Sequence, residues 1–410
     1  MNATAQPNGG STTDAPGSPS RLRGLVRGAC LLAAASALAP WSVRLSAAWY
    51  VSALSPLVAA GSLLATHTFH AAAALGLLVG AIALLRRRWF CRWVCPTGLC
   101  ADGASRCGTR LGRRCPRIAP LGQSIAVLTL AGAAFGYPLF LWLDPLAMFS
   151  GVFNLGSRSA GPASWWCAVG LPAVLLISVL LPGGWCACIC PLGALQDLLS
   201  HVASAVRRRF LPARQRGNSR PHGRLARRLL LAASLGACWA AATRTLRRTA
   251  SAPLRPPGAI AEWNFPGACI RCGNCVRACP VGIIGADLGQ HGMAGLLAPV
   301  LRFEQDYCHE DCTRCMDLCS SGALRQLSAE AKRGTPIGYP RVDMGRCLLG
   351  DDHECARCRN SCPFEAITLV FSPTDYALTP RIDPAKCSGC GACEVACPTS
   401  PAKAIVVQPR

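Results

Sequence analysis

The stretch CIRCGNCVRACP, residues 269–280, decides the fold of the second half of the chain. Its spacing is C-x2-C-x2-C-x3-C-P, and CSGCGACEVACP at 387–398 repeats that spacing without deviation. Two variant runs lie between them, CHEDCTRCMDLC at 308–319 and a C-x7-C-x2-C-x3-C-P run at 347–363. Bacterial proteins use this spacing to bind [4Fe–4S] clusters, because one short loop places three thiolates on three corners of a cubane. We therefore predict four [4Fe–4S] clusters, one for each run.

The four runs supply sixteen predicted cluster ligands. They are Cys269, Cys272, Cys275, Cys279, Cys308, Cys312, Cys315, Cys319, Cys347, Cys355, Cys358, Cys362, Cys387, Cys390, Cys393 and Cys397. A disulfide scaffold would also be rich in cysteine, but four tandem runs with this spacing are hard to reach that way. Zinc sites usually combine two cysteine pairs with a wider gap and often histidine. Iron–sulfur ligation is therefore the favoured interpretation.

Charge and cysteine are distributed unevenly along the 410 residues. Up to residue 258 there are 27 Lys and Arg against 4 Asp and Glu, and from 259 onward there are 15 against 16. The positive charge lies between apolar segments, which is typical of a membrane protein. A nucleic-acid-binding protein would instead carry it on one folded face, so no nucleic-acid partner is expected.

The first half contains apolar segments of nearly the length, about 20 residues, that a spanning helix needs. Four candidates are 24–43, 68–85, 121–143 and 164–182, with shorter or interrupted stretches at 47–66 and 229–242. The Arg-rich loops 86–117 and 201–228 indicate the cytoplasmic side. We predict a membrane α-helical bundle of four to five transmembrane helices, followed by an α+β ferredoxin-like polyferredoxin domain. The predicted location is the bacterial inner (cytoplasmic) membrane, with several passes.

The apolar segment after Arg227 and Arg228 resembles a twin-arginine export signal, which would carry the folded cluster domain to the periplasm. A short helix after the last span is the alternative. The predicted domains are a disordered tail at 1–20, a transmembrane domain at 21–200, an Arg-rich loop and linker at 201–262, and the ferredoxin-type domain at 263–410.

Two C-x3-C-P motifs form a second cysteine pattern in the first half. RRWFCRWVCPTGL contains Cys91 and Cys95, and GGWCACICPLGAL contains Cys186 and Cys190. Together these four cysteines would hold a fifth cluster; two dithiol pairs and unligated cysteines are the alternatives. Asp144 is a weaker candidate, either as the acceptor of a quinol proton or as a helix-end residue.

The stretch LRPPGAIAEWNFPGACIRCGNCVRACP resembles the start of the periplasmic ferredoxin-type subunits of NapG/MauM type, which accompany periplasmic nitrate reductase and methylamine dehydrogenase. The first 200 residues are similar to the membrane partner of NapH type, so the chain looks like two subunits fused. The resemblance implies that quinol from the quinone pool is oxidised in the membrane half. Electrons would then pass through the clusters to a periplasmic redox protein such as a c-type cytochrome or a reductase.

Two questions stay open after this comparison. The resemblance to four-cluster subunits of molybdenum oxidoreductases implies a nested pairing, run one with run four and run two with run three, and we favour it over pairing neighbouring runs. The alternative function is that of a cytoplasmic-facing polyferredoxin that acts as a metal reductase or maturation factor for another metalloenzyme. A redox sensor or a structural anchor is a third interpretation.

Overall fold

The computed structural model describes residues 21–39, 47–114, 119–156, 166–210, 223–246, 252–351, 353–373 and 377–409. The predicted tail at 1–20 lies outside these ranges. A helical part extends to residue 246, and a smaller part with short helices and strands begins at residue 252.

The helical part contains eleven α-helices in the described residues. They are α1 (Arg21–Leu38), α2 (Trp49–Ala53), α3 (Pro56–Thr66), α4 (Ala71–Leu85), α5 (Trp89–Trp93), α6 (Pro96–Arg110), α7 (Leu121–Ala134), α8 (Pro145–Val152), α9 (Gly170–Leu180), α10 (Pro191–Phe210) and α11 (Gly223–Leu246). A π-helical turn, Trp185–Ile189, precedes α10. Two 3-10 turns, Leu141–Leu143 and Phe153–Gly156, flank α8.

Four of these helices begin in the same way, with proline as the first helical residue after a residue that ends in an extended conformation. The pairs are Ser55-Pro56, Cys95-Pro96, Asp144-Pro145 and Cys190-Pro191. Proline suits this position because its fixed φ matches the helix and its missing N–H would have had no helical partner. The side chain before the proline can then accept a hydrogen bond from the free N–H groups of the first turn.

The prediction of a transmembrane bundle, and with it that of a multi-pass inner-membrane protein, is wrong. Within the residues the structure describes, none of the helices combines the length and the apolar character needed to cross a bilayer. The apolar run 121–143 is helical only to Ala134, where Gly136, with φ of +87°, and Pro138 follow. The run 164–182 is reduced to α9, which has 11 residues. The three helices of 18 residues or more, α1, α10 and α11, all contain arginines.

Close packing of α7 on α11 depends on two glycines, Gly132 and Gly236. A Cβ atom added to Gly236 would lie 2.3 Å from the Leu128 carbonyl oxygen, and one added to Gly132 would lie 3.5 Å from the Gly236 carbonyl oxygen. Both neighbours are backbone atoms, so neither can move aside alone.

We therefore expect Gly236→Ala to lower the thermal unfolding midpoint, as followed by far-UV circular dichroism. Separating two packed helices costs about 1–3 kcal/mol, more than the roughly 1 kcal/mol gained in helix propensity. Gly103→Ala on α6 is the matched control, because nothing lies within 4 Å of its added Cβ atom. The control should stabilise the protein slightly; equal midpoints for the two variants would contradict the packing argument.

The second part contains six α-helices, two 3-10 turns and six strands in the described residues. The helices are α12 (Phe265–Ala268), α13 (Asn274–Ala278), α14 (Arg314–Asp317), α15 (Ala329–Arg333), α16 (Arg357–Asn360) and α17 (Ala392–Ala396). The strands are β1 (Ile284–Ala286), β2 (Pro299–Leu301), β3 (Tyr339–Val342), β4 (Ile367–Ser372), β5 (Ala377–Ile382) and β6 (Ile405–Gln408). They form three antiparallel pairs, β1 with β2, β3 with β6, and β4 with β5.

Buried polar side chains join the two parts. Asn264 donates to the Ala65 carbonyl oxygen at 2.9 Å, and Arg277 donates to that of Leu38 at 2.8 Å. The Ser320 hydroxyl donates to the Ser52 hydroxyl at 2.8 Å. Because buried hydrogen bonds of this kind are costly to leave unmade, they fix the first two cysteine runs against the helical part.

Candidate iron–sulfur sites

The structure gathers the sixteen cysteines of the second part into four groups of four. Site A contains Cys269, Cys272, Cys275 and Cys319, and site B contains Cys279, Cys308, Cys312 and Cys315. Site C contains Cys362, Cys387, Cys390 and Cys393, and site D contains Cys347, Cys355, Cys358 and Cys397. In every site the fourth cysteine of one run joins the first three of another.

The runs are exchanged between neighbours in sequence, so the nested pairing is wrong. Cys319 of run two lines the same cavity as the first three cysteines of run one, and Cys279 lines the cavity of run two. The physical reason is that α13 packs directly on α14 and α16 on α17. Each short helix therefore delivers its last cysteine into the site of the helix it packs against.

A fifth group, site N, brings together Cys91, Cys95, Cys186 and Cys190 of the helical part. A Cβ atom added to Gly193 would lie 3.9 Å from the Sγ atoms of both Cys91 and Cys190, so the two motifs meet there. Burial raises the pKa of the Cys95 thiol to about 12 and that of Cys186 to about 11, and in both cases a neighbouring negative group adds to the rise. Cys100, by contrast, packs in a different core with Leu31 and Phe149.

Backbone and side-chain donors point at the sulfur atoms of site N. The Gly98 N–H donates to Cys95 Sγ at 3.3 Å, and the Gly193 N–H donates to Cys190 Sγ at 3.5 Å. The Gln196 side-chain amide donates to Cys91 Sγ at 3.2 Å. Donors at the start of two helices favour the anionic form of sulfur, as ligation requires. The two motifs thus have the same local structure.

The donor sets fit a multinuclear cluster better than a single ion. Within the described ranges, no three His, Cys, Asp or Glu side chains converge as ligands of one metal ion. A cubane instead takes each thiolate on a different iron atom, so its four ligands stand apart around a shared space. Sites B and D each surround such a space with four cysteines, and the space of site A is lined by its four cysteines and by Cys167 of the helical part.

A series of contacts connects the five groups, each with the next. Ile270 and Cys272 of site A pack in the same core as Cys95 and Cys190 of site N. Sites A and B share runs one and two. The Cys308 N–H of site B donates to the Cys390 carbonyl oxygen of site C at 2.9 Å. Sites C and D share runs three and four, so the order in space is N, A, B, C, D.

Lys332 beside site B was missed by the sequence reasoning. Its side chain is buried, with 4% exposed, and its Nζ donates to the carbonyl oxygens of His309 and Cys312 at 2.5 and 2.8 Å. Burial raises the pKa of the Cys308 thiol, and the Lys332 charge and its hydrogen bond to that thiol oppose the rise. In the described part of the chain no carboxylate pairs with this lysine. Its charge is therefore directed at site B.

Asp144 lies at the start of α8, which bears out its helix-end interpretation. It accepts hydrogen bonds from the Leu146 and Ala147 N–H groups at 3.0 and 3.2 Å, and from the Ser55 hydroxyl at 2.5 Å. Burial raises the pKa of the carboxyl to about 6, and these hydrogen bonds limit the rise.

Because the pKa of this carboxyl is higher in the folded than in the unfolded chain, its protonated form stabilises the folded state at low pH. That stabilisation is lost as pH rises from the unfolded pKa through the folded pKa. Asp144→Asn should therefore gain stability relative to the parent chain between pH 5 and pH 7.5. The gain should be about 1 kcal/mol. Between pH 5 and the folded pKa of about 6, the carboxyl is mostly protonated in the folded chain but ionised in the unfolded chain, and one pH unit of that difference is worth about this free energy. Thermal midpoints of both proteins at the two pH values check this; a constant difference between them would contradict it.

Comparisons with known proteins agree with this arrangement. The family described as 4Fe-4S dicluster domain matches residues 268–323 and 353–400, which correspond to the two pairs of runs except that Cys347 precedes the second match. The family described as 4Fe-4S binding domain matches 68–114 and 164–212, and each match contains one C-x3-C-P motif. No solved structure matches the chain.

Similar proteins of known name are also ferredoxin-type proteins. The chain is 36% identical over 174 residues to the methylamine utilization ferredoxin-type protein MauM of Methylobacillus flagellatus, covering 39% of this chain and 70% of that protein. It is 36% identical over 161 residues to the ferredoxin-type protein NapG of Escherichia coli, covering 37% and 68%. The ferredoxin-type protein NapF of Escherichia coli is 32% identical over 154 residues, covering 37% and 85%. The fusion with a NapH-type subunit is not shown by these matches. The chain belongs to the family of MauM- and NapG-type ferredoxin-type proteins, and it is a [4Fe–4S] electron-transfer protein.

Proposed function

We propose that this protein is an electron relay with five [4Fe–4S] clusters, one at each of sites N, A, B, C and D. The observation that supports it is the series of contacts that connects each four-cysteine group with the next. A [4Fe–4S] cluster takes up and releases one electron at a time, at a potential set by hydrogen bonds, charge and burial. The residues of this chain hold, space and tune those carriers.

The polar contacts between the two parts support a relay that extends from site N into the second part. Asn154 of the helical part donates to the Cys272 carbonyl oxygen at 3.5 Å. Its amide also occupies the space above Gly273, whose φ is +72°: a Cβ atom there would lie within 2.4 Å of three Asn154 atoms. The cysteine loop of site A is therefore held directly against the helical part.

We further propose a hydroquinone as the electron donor and a separate redox protein as the acceptor. An apolar cavity of about 350 Å³ separates the turn that carries Cys186 from the loop of site A. Trp142, Trp166 and Trp185 line it, and Arg271 faces the Trp142 ring at 5.3 Å. A flat, mostly apolar ring with two hydroxyls suits such a cavity, because aromatic walls can stack on it. A hydroquinone would release its two protons to solvent and its two electrons one at a time to the clusters. Trp185, next to Cys186 of site N, and Arg271, next to Cys272 of site A, line the cavity.

The experiment that tests this function is an iron count with EPR on the full chain, prepared anaerobically from a host that makes iron–sulfur proteins. We expect about 20 iron atoms for each chain, at about four for each cluster. Cys190→Ser should retain about 16, because site N loses one of its four thiolates. Cys100→Ser is the control and should keep the full number. An untouched iron content in Cys190→Ser would contradict a cluster at site N.

The same preparation tests the donor. Duroquinol should produce the EPR signals of reduced clusters in the parent chain, and Trp142→Ala should slow their appearance without lowering the iron content. If the variant is reduced as fast as the parent chain, the donor does not bind in this cavity.

A further inference from the structure

An arginine-lined cleft opens onto site N from the protein surface. Its volume is about 650 Å³, and Arg23, Arg87, Arg88 and Arg92 line it. The two outermost cysteines of the site, Cys91 and Cys186, lie in its wall. The cleft thus connects a predicted cluster site to solvent through a positively charged entrance. Neither the electron relay nor the proposed donor cavity uses this feature.

We propose that the cleft is the docking surface for an acidic one-electron carrier protein that exchanges electrons with site N. The inference rests on the proposed function to the extent that site N must hold a cluster for the exchange, whereas docking itself does not depend on that cluster. One electron passes between the reduced carrier and site N, no bond forms or breaks, and the carrier leaves oxidised. The cleft would be a second site at which electrons enter the relay, separate from the hydroquinone cavity.

The charges around the cleft favour an acidic partner. Its two aspartates are already paired within the chain, Asp197 with Arg87 and Arg88 at 2.7 and 2.6 Å, and Asp102 with Arg27 at 2.7 Å. Four arginines therefore line the cleft against two carboxylates, one of which is paired with the buried Arg27 outside it, and the cleft stays positive. The sequence up to residue 246 is strongly basic, with 24 Arg against 4 Asp and Glu.

The arginines are divided between an inner and an outer position. Arg88 is partly buried and donates to the Cys186 carbonyl oxygen at 3.2 Å, which suits a counter-charge for an anionic cluster. Arg87 keeps 62% of its side chain exposed, and Arg92 is also exposed. Exposed charge of this kind does little for stability, but it steers a charged partner toward the site and speeds association. Arg92 and the exposed part of Arg87 therefore fit recognition, whereas Arg88 keeps Asp197 paired even when Arg87 is replaced.

The test measures binding of a plant-type [2Fe–2S] ferredoxin, an acidic carrier, to the immobilised full chain by biolayer interferometry. We expect binding at low ionic strength that weakens steeply as salt is added, since salt screens such attraction. The double variant Arg87→Gln/Arg92→Gln should weaken binding by about tenfold or more, as expected for lost steering and contact charge. Basic cytochrome c should not bind under the same conditions.

The matched control is Arg106→Gln/Arg110→Gln, which removes the same charge from exposed positions of α6 that do not line the cleft. It should leave ferredoxin binding within about twofold of the parent chain. Equal losses in the two double variants, or equally tight binding of cytochrome c, would overturn the proposal. Stopped-flow oxidation of the reduced ferredoxin should show the same ranking of variants.

Iron content separates failure of this inference from failure of the proposed function. A preparation with about 16 iron atoms in which ferredoxin binding still depends on Arg87 and Arg92 would refute a cluster at site N and retain the docking surface. A preparation with about 20 iron atoms in which ferredoxin binding does not depend on Arg87 and Arg92 would retain the cluster at site N and refute the docking surface.

Discussion

Cys279→Ser is expected to change the cluster of run two and to leave that of run one intact. Cys279 belongs to run one by sequence but lies in site B with Cys308, Cys312 and Cys315. A serine oxygen is a poorer ligand for iron than a thiolate, so the site B cluster should be lost or altered. The iron content should fall by up to about four atoms, the content of one cubane.

The assignment can be checked without knowing in advance which EPR signal belongs to which site. Cys279→Ser and Cys308→Ser should affect the same signal, whereas Cys269→Ser should affect a different one. Cys319→Ser provides the reciprocal case and should match Cys269→Ser. If Cys279→Ser instead matches Cys269→Ser, each run holds its own cluster and the exchange between neighbouring runs is wrong.

Lys332→Met is expected to lower the reduction potential of the site B cluster alone. The Nζ atom donates to two carbonyl oxygens of run two, and its positive charge is buried beside Cys308. A nearby cation stabilises the reduced form, which carries one more negative charge. Loss of one charged hydrogen bond, about 1.5–3 kcal/mol, corresponds to roughly 60–130 mV for a one-electron couple.

EPR-monitored redox titration measures this change, with the site B signal identified through Cys279→Ser. Lys332→Gln separates two causes, because the amide keeps a donor and removes the charge. If charge dominates, both variants should lower the potential by similar amounts. Arg341→Met, at an exposed position on β3, is the control for a change in overall charge. A potential that stays constant in Lys332→Met would show that the lysine serves only the backbone of run two.

The ferredoxin half could be predicted from sequence because cluster ligation is a local property. The spacing from Cys269 to Cys279 already requires a loop followed by a short helix, and α13 begins and ends within it. Pairing of the runs could not be predicted in this way. It depends on which short helix packs against which, and identical spacings carry no information about that choice.

The helical half shows the opposite case, in which composition misled the prediction. Length and apolar content suggested continuous spans, but the helix of the run 121–143 ends before Gly136, and the run 164–182 forms a helix of only 11 residues. The meeting of Cys91 with Cys190 was left open because nearly 100 residues separate the two motifs.

The sequence contains one weak indication that Lys332 has a special role. It is one of three lysines in a chain rich in arginine, and all three lie near cysteine runs.

The exchange of cysteines between neighbouring runs has a consequence for biosynthesis. A nascent chain emerges from the ribosome with its N-terminus first, so no site can be completed before its last cysteine has been translated. Site B waits for Cys315 and site A for Cys319, while sites C and D wait for Cys393 and Cys397. Each pair thus becomes competent within four residues of synthesis. The cellular machinery that delivers iron–sulfur clusters would therefore meet the two pairs of sites one after the other. A chain that stops at residue 310 would leave all four thiols of run one without a complete site and open to oxidation.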